Sequence, residues 1–131
     1  ALTFAVLHPD LIHGVAAMNG SADLTEVRGF LDSMRQSFTE EGGDFESELR
    51  SRSAGFCPER LTMPVALTAG GRDVSVPAAS ILKLDESLKS LNRKVFLVYR
   101  PEGGHVTDLS DARAILEFAI HAKAPRGLGK R

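Results

Sequence analysis

An acid and a histidine stand at matching places in this chain: Asp73 within Met63-Pro-Val-Ala-Leu-Thr-Ala-Gly-Gly-Arg-Asp-Val-Ser-Val-Pro77, and His105 at the end of Pro101-Glu-Gly-Gly-His105. Each comes after a run rich in branched or aromatic residues and then a Gly-Gly pair. A carboxylate that orients an imidazole is the acid-and-base part of a hydrolytic triad, in which the histidine takes a proton from a hydroxyl nucleophile. The glycine pairs are expected to permit tight turns and positive φ angles that aim the next side chain across the strand ends. Taken alone, Asp73 is better explained as a turn residue that pairs with Arg72 or caps the helix starting near Pro77. The partnership with His105 reverses that preference.

A nucleophile is harder to find. Ser51-Arg-Ser-Ala-Gly55 puts Ser53 ahead of Asp73 and His105 in the order serine, acid, histidine, but the first glycine of a G-x-S-x-G elbow is missing. Residues 44–50, just before it, are charged and helix-prone, so no strand-to-helix elbow is expected there. His8 and His13 are separated by Pro9 and do not share a helical face as an i, i+4 metal pair would. His121 lies in the last expected helix, and no metal site is expected there. The glycine pairs lack the Lys-Ser/Thr of a phosphate loop. Cys57, the single cysteine, excludes an internal disulfide and a cysteine-based zinc cluster, and only Arg60 stands near to lower its pKa. No cofactor and no metal are implied.

These residues need a frame. Leu2 to Leu7 reads as a helix apolar on nearly every side, hence buried, stopped by His8-Pro9-Asp10. Residues 14–19, apolar and bounded by glycines, suit an interior parallel strand. Leu24, Val27, Leu31, Met34 and Phe38 recur at spacings of three and four, which predicts an amphipathic helix over 23–41. Asp23 and Glu26 would form its capping box, and Gly42-Gly43 its end. A weaker helix is expected over 45–52. Residues 65–69 and 94–99 are the other strands. Between them Ile81, Leu84, Leu88 and Leu91 mark a helix beginning near Pro77. Ser110 can cap a last helix whose inward face is Ile115, Phe118, Ala119 and Ala122. Strands alternating with helices predict an α/β fold of about three parallel strands.

The 131 residues, 43% apolar and 25% charged, are enough for one domain with a core. A net charge of -1 gives no reason to expect nucleic acid or an anionic membrane as partner. The basic residues near the end form a flexible tail, 124–131, after a domain covering 1–123. No apolar run approaches the ~18 residues that span a bilayer, and the opening lacks the basic flank of a signal peptide. A cytoplasmic protein is the expectation.

The acid-bearing segment 64–77 resembles that of the α/β-hydrolase family, and Lys94-Val-Phe-Leu-Val-Tyr-Arg-Pro-Glu-Gly-Gly-His105 resembles its histidine-bearing segment. Residues 1–20 are similar to the segment after the serine elbow in that family: a buried helix, a His-Pro-Asp turn and the next strand. The likeness extends over nearly the whole chain and is weakest at 21–60, which would be a helical insert or lid. It implies the C-terminal part of an α/β-hydrolase fold in which Asp73 orients and stabilises His105, and His105 is the general base. The serine, its elbow and the earlier strands are expected upstream of Ala1, and the Ser53 region would be a connector with structural hydrogen bonds.

This resemblance implies one of two functions. The first is a serine hydrolase acting on a small-molecule ester, or a peptide, through an acyl-enzyme. The other is a catalytically inactive hydrolase-like module that self-associates. The first strand would present an unpaired apolar edge and the first helix an exposed patch, so a homo-oligomer is expected either way.

Overall fold

The computed structural model describes residues 1–39 and 43–122. The basic stretch 124–131 and the expected helix end at Gly42 lie outside the described residues. Three strands, β1 (Val15–Met18), β2 (Val65–Gly70) and β3 (Val95–Arg100), form one parallel sheet in the order β1-β2-β3. Val15 pairs with Val65, and Val65 with Val95, so the strands start level. All six residues of the central strand are buried, as a parallel strand covered on both faces requires.

Alternation along the strands divides the core. Val15, Ala17, Val65, Leu67 and Ala69 face α1 (Leu2–Leu7) and α4 (Ala79–Ser90), against Leu2, Val6, Ile81, Leu84 and Leu88. Ala66 and Val98, with Ala16 and Phe96 beside them, face α5 (Leu109–His121) through Ile115, Phe118 and Ala119. The result is an α/β/α arrangement with a helix layer on each side. Among the described residues no helix is long and apolar enough to cross a membrane.

Several local expectations give way to tertiary context. Only one side of α1 meets the sheet, so Phe4 stays 50% exposed with its ring against His8. The helix expected over 23–41 is two 3-10 turns, Leu24–Glu26 and Arg28–Phe30, followed by α2 (Leu31–Thr39). The cause lies at its start: the Asp23 carboxylate accepts both the N–H and the hydroxyl of Thr25, at 2.9 and 2.6 Å, which closes a tight turn. The Asp23 N–H goes to Ser21 Oγ, so no reciprocal capping box forms with Glu26. Val27 is buried, whereas Leu31, Met34 and Phe38 are only half-buried. Phe38 meets Phe45 of α3 (Phe45–Ser51).

At the start of α5 the cap is Asp108, not Ser110. Its carboxylate accepts the Asp111 N–H and the Ser110 hydroxyl, both at 2.8 Å, and an anion suits the positive end of the helix dipole better than a hydroxyl. Ala122 adopts φ 52 and ends α5 rather than lining the core. Leu91 falls just beyond α4 and is exposed.

β1 meets α5 at Gly14, where an added Cβ would lie 2.0 Å from the Ala119 carbonyl oxygen. Gly14→Ala must push strand and helix apart and is expected to lower stability by about 1–3 kcal/mol, read from the urea midpoint. An unchanged midpoint would show that this approach is slack.

Candidate active site

β2 and β3 end level, with Gly70 beside Arg100, and the chain beyond them continues side by side. The Gly71 N–H donates to the Arg100 carbonyl and the Arg72 N–H to the Gly103 carbonyl, both at 2.8 Å. An Arg72–Glu102 ion pair joins the two turns on the outside. A Cβ at Gly70 would fall 2.3 Å from the Gly104 carbonyl oxygen, and one at Gly71 would fall 2.4 Å from that of Pro101. None of Gly70, Gly71, Gly103 or Gly104 adopts a left-handed φ. The expectation of positive φ is therefore corrected: at Gly70 and Gly71 the missing side chain lets two backbones touch.

That approach brings Asp73 and His105 together, with Asp73 Oδ2 2.8 Å from His105 Nδ1. The other oxygen, Oδ1, accepts the N–H groups of Ser75 and Val76, each at 2.9 Å. Asp73 is thus at once a turn residue, through Oδ1, and the hydrogen-bond partner of His105, through Oδ2. Arg72 is taken by Glu102, and the helix α4 is not capped by Asp73.

The Asp73 side chain is 1% exposed, whereas that of His105 is 52% exposed. Burial opposes the Asp73 charge, but the hydrogen bonds from Val76, His105 and Ser75 outweigh it and leave the carboxyl below its ordinary pKa. An ionised Asp73 makes Nδ1 the protonated nitrogen of a neutral imidazole. Nε2 is then the lone-pair nitrogen, available as a base toward a group in the open.

Two further constellations fix the histidine loop. Arg100, at the end of β3, donates to Asp111 in the first turn of α5 through Nε at 2.7 Å and Nη2 at 2.5 Å. The hydrogen bond to Asp111, opposed by burial, raises the guanidinium pKa. Thr107, two residues past His105, is hydrogen-bonded to Asn19, just past β1, and to Thr68, within β2. The sequence held only faint signals for these groups: a charge closing an apolar strand, and an Asn-Gly pair at another strand's end.

Ser53 is 1% exposed; its hydroxyl donates to the Leu49 carbonyl at 2.6 Å and accepts the Leu24 N–H at 2.9 Å. It ties the end of α3 to the turn after β1, as a connector would. Among the described residues no serine, threonine or cysteine side chain is hydrogen-bonded to the His105 ring. Burial and Glu59 push the Cys57 thiol up against the opposing pull of Arg60, so it is not an activated thiolate. Among the described residues no group of three or more His, Cys, Asp or Glu side chains is placed to hold a metal ion.

No family model matches the chain, and no curated protein matches it, so the pair stands on its own geometry.

That geometry has a pH signature. Because folding lowers the Asp73 pKa, its stabilising contribution is complete above the unfolded value of about 3.9 and is lost as pH falls through the lower folded value. Urea titrations should show Asp73→Asn less stable than wild type above about pH 5. The gap should shrink below about pH 4. A gap that persists undiminished in acid would show that the carboxylate charge is not what the turn binds.

Proposed function

We propose that these residues are the acid- and histidine-bearing part of a serine hydrolase of the α/β-hydrolase type, acting on an ester, with a peptide bond as the second choice. The observation that carries this is the 2.8 Å contact of Asp73 with His105 Nδ1, made just past the carboxyl ends of two neighbouring parallel strands, where reacting groups of open α/β sheets collect. His105 Nε2 would take the proton of a serine hydroxyl as its oxygen attacks the substrate carbonyl. Asp73 would stabilise the imidazolium until the proton passes to the departing alkoxide, and water would then release the acyl group by the same route.

The serine would come from an elbow on polypeptide outside these 131 residues. Two features support that. Ser53 has its hydroxyl hydrogen committed to Leu49, and among the described residues β1 is paired on one side only. A groove of about 480 Å³ beside α5, lined by Leu11, Ile12, Ala16 and Ala119, and one of about 360 Å³ beside α1, lined by Leu2, Ala17 and Met18, flank that open edge. Another parallel strand with its helices would fill both.

A fluorophosphonate probe tests this directly. The 131 residues alone should not be labelled, whereas the same residues in a polypeptide that also carries a G-x-S-x-G elbow should be labelled on its serine. His105→Ala in that polypeptide should cut ester turnover by about 10⁶-fold. Labelling of Ser53, or turnover indifferent to His105, would overturn the assignment.

The open edge of β1 also favours the second reading, an inactive module that pairs with its own copy. Light scattering over a concentration series should then show a mass rising from 14.1 kDa toward twice that value. Met18→Lys, which puts a charge on the edge, should hold the protein at the monomer mass. A wild type that remains monomeric throughout would eliminate this reading.

A further inference from the structure

Thr107 is held more firmly than a loop threonine needs to be. Asn19 Nδ2 donates to Thr107 Oγ1 at 3.0 Å, the hydroxyls of Thr107 and Thr68 lie 2.7 Å apart, and Thr68 Oγ1 stands 3.4 Å from Asn19 Oδ1. Both hydroxyl hydrogens find an acceptor when Thr107 donates to Thr68 and Thr68 donates to Asn19, which closes a ring of three side chains. Thr68 Oγ1 also accepts the Asn19 N–H at 3.0 Å. Asn19 and Thr68 are buried.

The ring is built at a conformational cost. Asn19 adopts φ 43, a left-handed geometry that glycine would adopt with less strain. Glycine, however, carries no amide to reach Thr107. Strain that a simpler residue would avoid, retained beside a candidate site, points to a role for the side chain.

The loop has reason to need it. Val106 is 87% exposed, and Gly103-Gly104 contributes no side chain. A cavity of about 150 Å³ lies behind the loop, lined by Asn19, Thr68, Arg100, Thr107 and Asp111, so an untethered loop would have room to shift inward. On the near side the backbone is held at Gly103. On the far side the first tether after His105 is Thr107.

We propose that Thr107, clasped by Asn19 and Thr68, is a positioning residue that keeps the His105 imidazole on Asp73. Its value for catalysis rests on the hydrolase reading above, but the positioning itself is measurable in the chain as it stands. With the clasp closed, Nδ1–H stays on Asp73 Oδ2 and exchanges slowly with water. With it open, the ring samples other rotamers and that proton is lost to solvent.

Nitrogen-15 NMR of the histidine rings tests this. Wild type should show His105 as the Nδ1–H tautomer with a low-field ring-proton signal. Thr107→Val, which keeps the shape and removes the hydroxyl, should lose that signal, and Thr107→Ser should keep it. Asn19→Gly, which relieves the backbone and removes the amide, should lose it too, and supplies the answer if Thr107→Val fails to fold. A signal that persists in folded Thr107→Val or Asn19→Gly overturns the positioning role, even if the melting temperature falls. Asp73→Asn separates the two ideas: loss of the signal there, with persistence in the clasp variants, overturns the clasp alone. A signal unaffected by Asp73→Asn, or absent from wild type, overturns the Asp73–His105 pair as well.

Discussion

A carboxylate taken almost wholly out of water keeps its charge only where donors replace the lost hydration, and Asp73 has three of them. Two are the backbone N–H groups of Ser75 and Val76, and the third is the His105 ring. To present those amides the chain after β2 must curl back on itself, and to present the ring it must run against the loop after β3. Both demands fall on Gly70 and Gly71, where any Cβ would collide with carbonyl oxygens of residues 101–104. The sheet register completes the arrangement, since Gly70 ends level with Arg100.

The histidine loop is secured at its other end by groups that the sheet and α5 supply together. Arg100 and Asp111 form a forked pair, and the Asp111 side chain is only 3% exposed. Removing either partner would leave the other charge poorly solvated, which is why such pairs hold geometry more reliably than they add stability. α5 is itself seated by Phe118 on Phe96, with ring centroids 5.3 Å apart. His105 therefore rests on elements packed into the core, although its ring is half open to solvent. General-base chemistry needs both, because the nitrogen must be accessible and its placement must not drift.

Residues 21–39 and 43–60 obey different physics. Their order comes from short polar closures: Asp23 on Thr25, Ser53 between Leu49 and Leu24, and Asp44 capping α3 through the Ser47 N–H. Arg35 and Arg52 lie over the rings of Phe45 and Phe38. The apolar stripe that suggested one long helix is divided between the segment of 3-10 turns and α2, because a side-chain acceptor two residues from its donor competes with helical bonding at the start of the stretch.

Hydrophobic runs, turn glycines and catalytic residue types are local properties of a chain, and they were enough to establish the alternation of strands and helices, hence a parallel sheet, and to single out Asp73 and His105. They also marked Ser53 as a poor nucleophile, since no strand precedes it. Contacts between distant residues were beyond their reach. Asn19 and Thr107 are 88 positions apart and Asn19 and Thr68 49 apart, and no spacing rule announces either meeting. The glycine pairs were legible as turns but not as contacts between backbones, and Ser110 looked like a cap until Asp108 was placed before the helix. The folded sheet, by fixing the register of its three strands, selected which polar groups would be buried together and so would have to satisfy one another.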